Sequence, residues 1–172
     1  MKTPSLTGNE RRFRNDEIIV SKTDLKGRIT YCNDVFIRIS GYSEKELIGQ
    51  PHSIIRHPAM PRCVFKLLWD TIAKGDEVFA YVLNLSKNGD HYWVFAHVTP
   101  DVDYAGAIMG YHSSRRSPDD RAIAAIRPLY DALLAEEARH PNGKNALEAS
   151  TEALVTTLGK KGIGYDRFVL GL

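Results

Sequence analysis

The chain has 172 residues, 43% hydrophobic and 26% charged, with no run near the roughly 20 apolar residues a membrane helix needs, so one soluble domain with a real core is expected and bilayer insertion is not. A formal net charge of +2 gives no case for nucleic-acid binding or membrane adhesion. Two cysteines, Cys32 and Cys63, make no disulfide framework, and the polar, basic segment from Met1 to Asn15 is no secretory signal, so a reducing, cytoplasmic setting is expected.

Residues 1–15 read as a flexible arm. Glu17 to Thr23 is a short β-branched run, Asp24-Leu25-Lys26-Gly27 is a turn signal, and Arg28 to Cys32 alternates, which predicts two strands around a turn. Asn33 or Asp34 caps a short helix carrying Val35, Phe36 and Ile39 and ending at Gly41. Ser43 and Glu46 stand at capping-box spacing, so a second short helix starts there and stops at Gly49. Pro61 suits the first position of a longer helix whose Val64, Phe65, Leu68 and Ile72 share one face, closing at Gly75. Val78 to Ser86 and His91 to Thr99 flank Asn88-Gly89, a hairpin signal that predicts a type I′ turn, and a third strand covers Ala107 to Ser114.

Both faces of this strand pair are apolar, with Phe79, Tyr81, Trp93 and Phe95 on one and Ala80, Val82, Val94 and Ala96 on the other. An antiparallel sheet with one wet face alternates instead, so the second face needs a cover: the N-terminal arm, the C-terminal helices or another subunit. Residues 117–172 read as a helical extension. Ser117-Pro118-Asp119-Asp120 starts a helix whose Ile123, Ile126, Tyr130, Leu133 and Leu134 form a stripe, and Pro128 should bend or interrupt it. A break at His140 to Gly143 precedes a second amphipathic helix over Asn145 to Leu158, with Leu147, Thr151, Leu154 and Leu158 aligned, and Ile163 to Leu172 is apolar enough to dock. Strands, then helices, then strands make an α+β arrangement, with an antiparallel sheet and short helices on one face.

Asn33-Asp34-Val35-Phe36, Ser40-Gly41-Tyr42-Ser43, Glu46-Leu47 and Gly49-Gln50-Pro51 resemble the PAS domain family. Arg56-His57-Pro58-Ala59-Met60-Pro61 and the string from Lys87 to Val94 sharpen this toward the PAS sensors of bacterial aerotaxis receptors, over about Ile19 to Leu133. The resemblance implies a five-stranded antiparallel sheet of order 2-1-5-4-3, with the PAS sensor over residues 16–116. It also implies FAD held without covalent attachment, its oxidation state serving as the signal, and Asn33, Arg56, His57, Trp69 and Asn84 as the flavin-linked positions. Asn33 and Asn84 suit the polar edge of a flat ring, Arg56 a pyrophosphate or a charge developed on reduction, and Trp69 the ring face.

Each position has a plainer reading beside the sharp one. Asn33 is equally a helix cap, Arg56-His57 a structural turn and Trp69 a core residue, whereas Asn84, an amide on an apolar strand face, needs a partner once buried. Haem through His57 or His112 is a distant alternative. Ala59 stands where the family segment has an acid, and the chain as given ends at Leu172 without an anchor or signalling helices, so a stand-alone sensor with a different output is expected. Arg115-Arg116 reads as a solvated strand end, and Cys32 and Cys63 as small buried hydrophobes. No nucleophile–base pair, phosphate loop, paired-carboxylate site or Cys/His metal cluster is present in the pattern, so enzymatic activity is not expected. Two functions remain in view. One is a redox or oxygen sensor feeding motility, chemotaxis or kinase partners; the other is a cofactor-free interaction module, a homodimer or a partner-binding protein through the outer sheet face.

Overall fold

The computed structural model describes residues 4–160 and 162–172, and the first three residues of the expected arm lie outside them. Five strands form one antiparallel sheet in the order β2-β1-β5-β4-β3: β1 (Ile19–Asp24), β2 (Ile29–Cys32), β3 (Val78–Leu85), β4 (His91–Val102) and β5 (Ile108–Arg116). Between β2 and β3 come α1 (Asp34–Ser40), α2 (Glu44–Leu47), a 3₁₀ turn over His52–Ile55 and α3 (Arg62–Ile72). After the sheet come α4 (Asp120–Ala138), α5 (Gly143–Lys160) and α6 (Tyr165–Leu170).

Local chemistry starts and stops these elements where the residues predict. The Asn33 side chain accepts from the Phe36 N–H at the head of α1, and Gly41 closes that helix at φ 73°, a left-handed value that costs glycine nothing. The Glu46 carboxylate reaches back to the Ser43 N–H at 3.0 Å, one half of the expected capping box. Pro61 stands just before α3, which buries Cys63, Val64, Leu68 and Ile72. The β3–β4 hairpin is where Asn88-Gly89 places it, but its turn is of another type. Among the described residues only glycines have a positive φ, so Asn88 does not make a type I′ turn. Instead the Gly89 N–H bonds Ser86 O at 3.0 Å and the Ser86 N–H bonds Asp90 O at 2.8 Å, a three-residue loop with Gly89 at φ 95°. β4 also runs further than expected, through Pro100, because β3 has ended opposite Val98 and the proline lies where the strand has one neighbour.

The second apolar face is covered by the chain itself. Tyr130 of α4 stacks on Trp93 with ring centroids 6.3 Å apart, Arg127 lies 5.6 Å over the same indole, and Phe13 is buried in the same core. The described part of the arm runs along the hairpin rather than hanging free: the Arg11 N–H bonds His91 O at 2.7 Å, and the Arg11 guanidinium bonds Ile39 O and Asp90. The free edge of β3 is closed too. Tyr130 Oη donates to Tyr81 O at 2.7 Å and meets Tyr165 Oη of α6 at 3.2 Å, while Asp166 accepts from the backbone of Phe79. An uncovered β3 would offer a row of unpaired backbone groups. What remains open on the outer face is the β2–β1–β5 half, where Lys22 and Tyr31 are exposed.

Pro128 does not interrupt α4, which is one continuous helix from Asp120 to Ala138. Burial of Ile123 and Ile126 before the proline and of Tyr130 and Leu133 after it anchors both halves to one core and outweighs the lost hydrogen bond. In α5 the buried set is Ala146, Ser150, Leu154 and Leu158, which shares its last two members with the predicted stripe; Leu147 and Thr151 are half-buried. Ser150 faces inward because its hydroxyl bonds Glu137 of α4 at 3.0 Å. The apolar tail docks as expected, with Tyr165 and Val169 buried.

Candidate functional site: a cavity between sheet and helices

Strand parity sends Val82 and Asn84 of β3, Ala96 and Val98 of β4, and Tyr111, Ser113 and Arg115 of β5 to the same side of the sheet. On that side α3 and the 3₁₀ turn stand off the sheet and leave a cavity of about 520 Å³. This is within the range of small-molecule sites, and its surface is largely apolar, with Leu68, Ile72, Val82 and Val98 in the wall and Lys26, Arg62 and Lys66 among the polar residues that also line it. Trp69 stands at the rim, 36% exposed and edge-on to Tyr111 at 5.6 Å. Gly27 lets it lie there: a Cβ at that position would meet the indole at 2.8 Å.

Three of the five predicted residues meet at the cavity. Asn84 is 4% exposed and lines it. Arg56 lines the wall beside it, paired through the backbone with Asn84, its guanidinium 4.4 Å over the Phe65 ring. Burial and the nearby Arg62 both lower its pKa. Trp69 is the third.

Asn33 and His57 are elsewhere. The Asn33 carbonyl accepts from Val20 N at 3.0 Å and Phe36 N at 3.1 Å, and its amide donates to Ile18 O at 2.8 Å, so it ties α1 to β1 as a cap. His57 is buried in the loop before α3, where Nδ1 accepts from Ala59 N at 3.1 Å and the ring meets His91 edge-on at 6.0 Å. Burial and His91 lower its pKa. Neither residue lines the cavity. His112 pairs across from Lys22 on the outer face, so neither histidine named for haem reaches the cavity. Ala59 is exposed and off the wall, so the missing acid changes no charge at the cavity.

The largest departure from the sequence reading is Arg115. Expected in solvent, it is 2% exposed and lines the cavity, while its neighbour Arg116 is exposed as foreseen. Its guanidinium lies 4.6 Å over the Phe36 ring and donates from one nitrogen to Ser21 Oγ. That hydroxyl in turn lies 3.1 Å from His52 Nε2, and the His52 ring stacks on Phe36 at 6.0 Å. With Arg115 donating to it, the Ser21 hydroxyl keeps its own proton for Nε2 when the imidazole is neutral. Burial, and then the Arg115 charge, push the His52 pKa down to about 3. Burial likewise pushes Arg115 down, to about 10. The signal that finds Arg115 in the sequence is the parity of β5, which puts it two steps from Ser113 and four from Tyr111 on one face.

Among the described residues no helix is long and apolar enough to cross a membrane. The family described as "PAS fold" matches residues 29–115. The chain is 46% identical over 130 residues to the aerotaxis receptor of Escherichia coli (strain K12), a match covering 76% of this chain and 26% of that receptor. It is 27% identical over 99 residues to the nitrogen fixation regulatory protein of Klebsiella pneumoniae, covering 58% of this chain and 20% of the relative. The chain thus spans about a quarter or less of the length of these relatives. Among solved structures, the light state of the blue-light photoreceptor Aureochrome1 LOV superposes with a TM-score of 0.56 at 22% identity, covering 64% of this chain and 88% of that one. Sheet order, helical face and sequence match agree, and the chain belongs to the PAS-fold family.

Proposed function

We propose that this chain is a cytoplasmic PAS sensor that holds FAD non-covalently in the cavity and passes its oxidation state to motility, chemotaxis or kinase partners. The observation that carries the reading is Asn84, an amide 4% exposed at the wall of a largely apolar cavity. An amide at such a wall offers one donor group and one acceptor to a ligand with a donor–acceptor edge. The 46% identity to the E. coli aerotaxis receptor supports the same assignment.

The residues present fit the group. Aliphatic side chains of α3, β3 and β4 exclude water from a flat ring, Asn84 supplies a donor and an acceptor, and Trp69 offers an aromatic face at the rim. Arg56, half-buried at the wall, is placed to offset phosphate charge. FAD, when bound, supplies two-electron redox chemistry. The chain's own part is to hold the ring and to read its charge.

A route outward exists in the same strand. Asn84 and Tyr81 both lie on β3, and Tyr81 O is the acceptor of Tyr130 Oη, so a shift of β3 is felt directly by α4 and α6. A homodimer or a signalling partner would meet the outer sheet face at its open β2–β1–β5 half, since the β3–β4 half is filled by the chain's own helices.

Absorption spectra of the purified protein after incubation with FAD and gel filtration test the reading. Retained yellow colour with a band near 450 nm, bleached by dithionite, is the expected result. Asn84→Leu should lose the colour while the apo-protein stays as stable as the parent, within about 1 kcal/mol, because it exchanges an amide at the cavity wall for an apolar group of similar size. A colourless wild-type protein after supplementation would overturn the proposal and leave the docking module.

A further inference from the structure

Arg115 is a cation nine-tenths and more removed from solvent, with no carboxylate near it. Two of its guanidinium nitrogens, Nε and Nη1, are buried without a hydrogen-bond partner, and the third bonds a neutral hydroxyl. The groups that perturb it electrostatically are Tyr92 and Cys32, and no acid is among them. Breaking a buried ion pair so as to leave one charge alone is among the costliest changes a fold sustains, so a lone buried guanidinium at a cavity wall marks a counter-charge supplied by something else. Thr23 Oγ1, at the same wall, is a further buried polar atom with no partner. Phe36 below and Ser21 beside hold the guanidinium in place at the cavity wall, with Nε and Nη1 closed off from solvent.

We propose that Arg115 is the buried cation through which the cavity, also lined by Lys26, Arg56, Arg62 and Lys66, reads a heteroaromatic ligand, its fixed charge favouring the form of that ligand that carries the extra negative charge. The inference rests on the functional reading above and adds to it a residue and a consequence. A ring that takes up two electrons and one proton gains one negative charge. A fixed positive charge at its edge then stabilises the reduced form over the oxidised one and raises the midpoint potential. His52 stays neutral beside it and adds no competing charge, while Ser21 keeps the donor aimed.

The test uses the full chain loaded with FAD and titrated with dithionite against redox dyes, in the wild type, Arg115→Gln, Arg115→Lys and Arg116→Gln. Arg115→Gln should bind FAD at least tenfold more weakly and lower the midpoint by about 30 mV, which corresponds to a tenfold preference in a two-electron couple. Arg115→Lys, which keeps the charge without the planar fork, should recover most of the potential and less of the affinity. Arg116→Gln, exposed, should match the wild type in both. A wild type that takes no FAD overturns the functional reading itself. A wild type and Arg115→Gln that both bind FAD with equal affinity and equal midpoint leave that reading standing and overturn the role of Arg115. If far-UV circular dichroism shows Arg115→Gln unfolded, Ser21→Ala replaces it: a lowered midpoint supports the proposal and an unchanged one overturns it.

Discussion

Protonation of His52 would place a second positive charge beside Arg115 at the cavity wall, and this makes the protein's stability depend on pH in a direction the structure specifies. The folded-state pKa is held to about 3 against an ordinary value of 6.5. A base with a depressed folded pKa contributes stability that is fully present above its unfolded pKa and is lost as pH falls toward the folded one, because the unfolded chain takes the proton first. At pH 5, about 1.5 pH units below the unfolded value and still above the folded one, the contribution of this one residue should be smaller than at pH 7.5 by about 2 kcal/mol. Since His52 is half-buried and lines the cavity, water there screens the effect, and about 1–2 kcal/mol is the working range. His52→Gln keeps an acceptor within reach of Ser21 and removes the titration. Urea unfolding of both proteins at pH 7.5, 6 and 5 reads the difference directly: the gap between them should narrow or reverse on acidification by that amount. Parallel pH profiles for the two would show that His52 is not held neutral by its surroundings, and the hydrogen-bond chain from Arg115 through Ser21 would fall with it.

Two further substitutions probe the parts that frame the cavity. Tyr130→Phe removes a hydroxyl that satisfies Tyr81 O and meets Tyr165 Oη, so it should cost about 2 kcal/mol in chemical denaturation and speed amide exchange in β3 and α6; a change below about 0.5 kcal/mol would show that the β3 edge is held by other contacts. Gly27→Ala meets both a φ of 72° and the Trp69 indole at 2.8 Å, whereas Gly49→Ala meets a φ of 80° and open space. The first should therefore be the more destabilising, by about 1 kcal/mol or more, and should alone shift tryptophan fluorescence; equal effects would mean that Trp69 moves away freely.

Much of the architecture was legible because its signals are local. Asn33 and Gly41 bound α1, Pro61 opens α3 and Asn88-Gly89 marks the hairpin, each through the backbone angles or hydrogen bonds that one residue type favours over its immediate neighbours. The turn type escaped this reading because loop length, not the Asn-Gly pair alone, decides which residues take positive φ. Two-sided hydrophobicity of β3 and β4 showed that the outer face needed a cover, and Asn84 stood out as an amide on an apolar face.

What those signals do not carry is which polar groups the fold leaves together and dry. Arg115 meets Ser21 across 94 residues of sequence, Tyr130 meets Tyr81 across 49, and Asn33 spends its amide on Ile18 and Val20 of the neighbouring segment rather than on the cavity. Burial of a side chain is a property of everything packed around it, so an arginine at a strand end reads as solvated until α1, β1 and the 3₁₀ turn close over it. The residues alone determined a helix-faced antiparallel sheet of the PAS kind. Only the tertiary structure decided that its cavity has a largely apolar wall, with Asn84 set in it and with a buried arginine whose Nε and Nη1 have no partner.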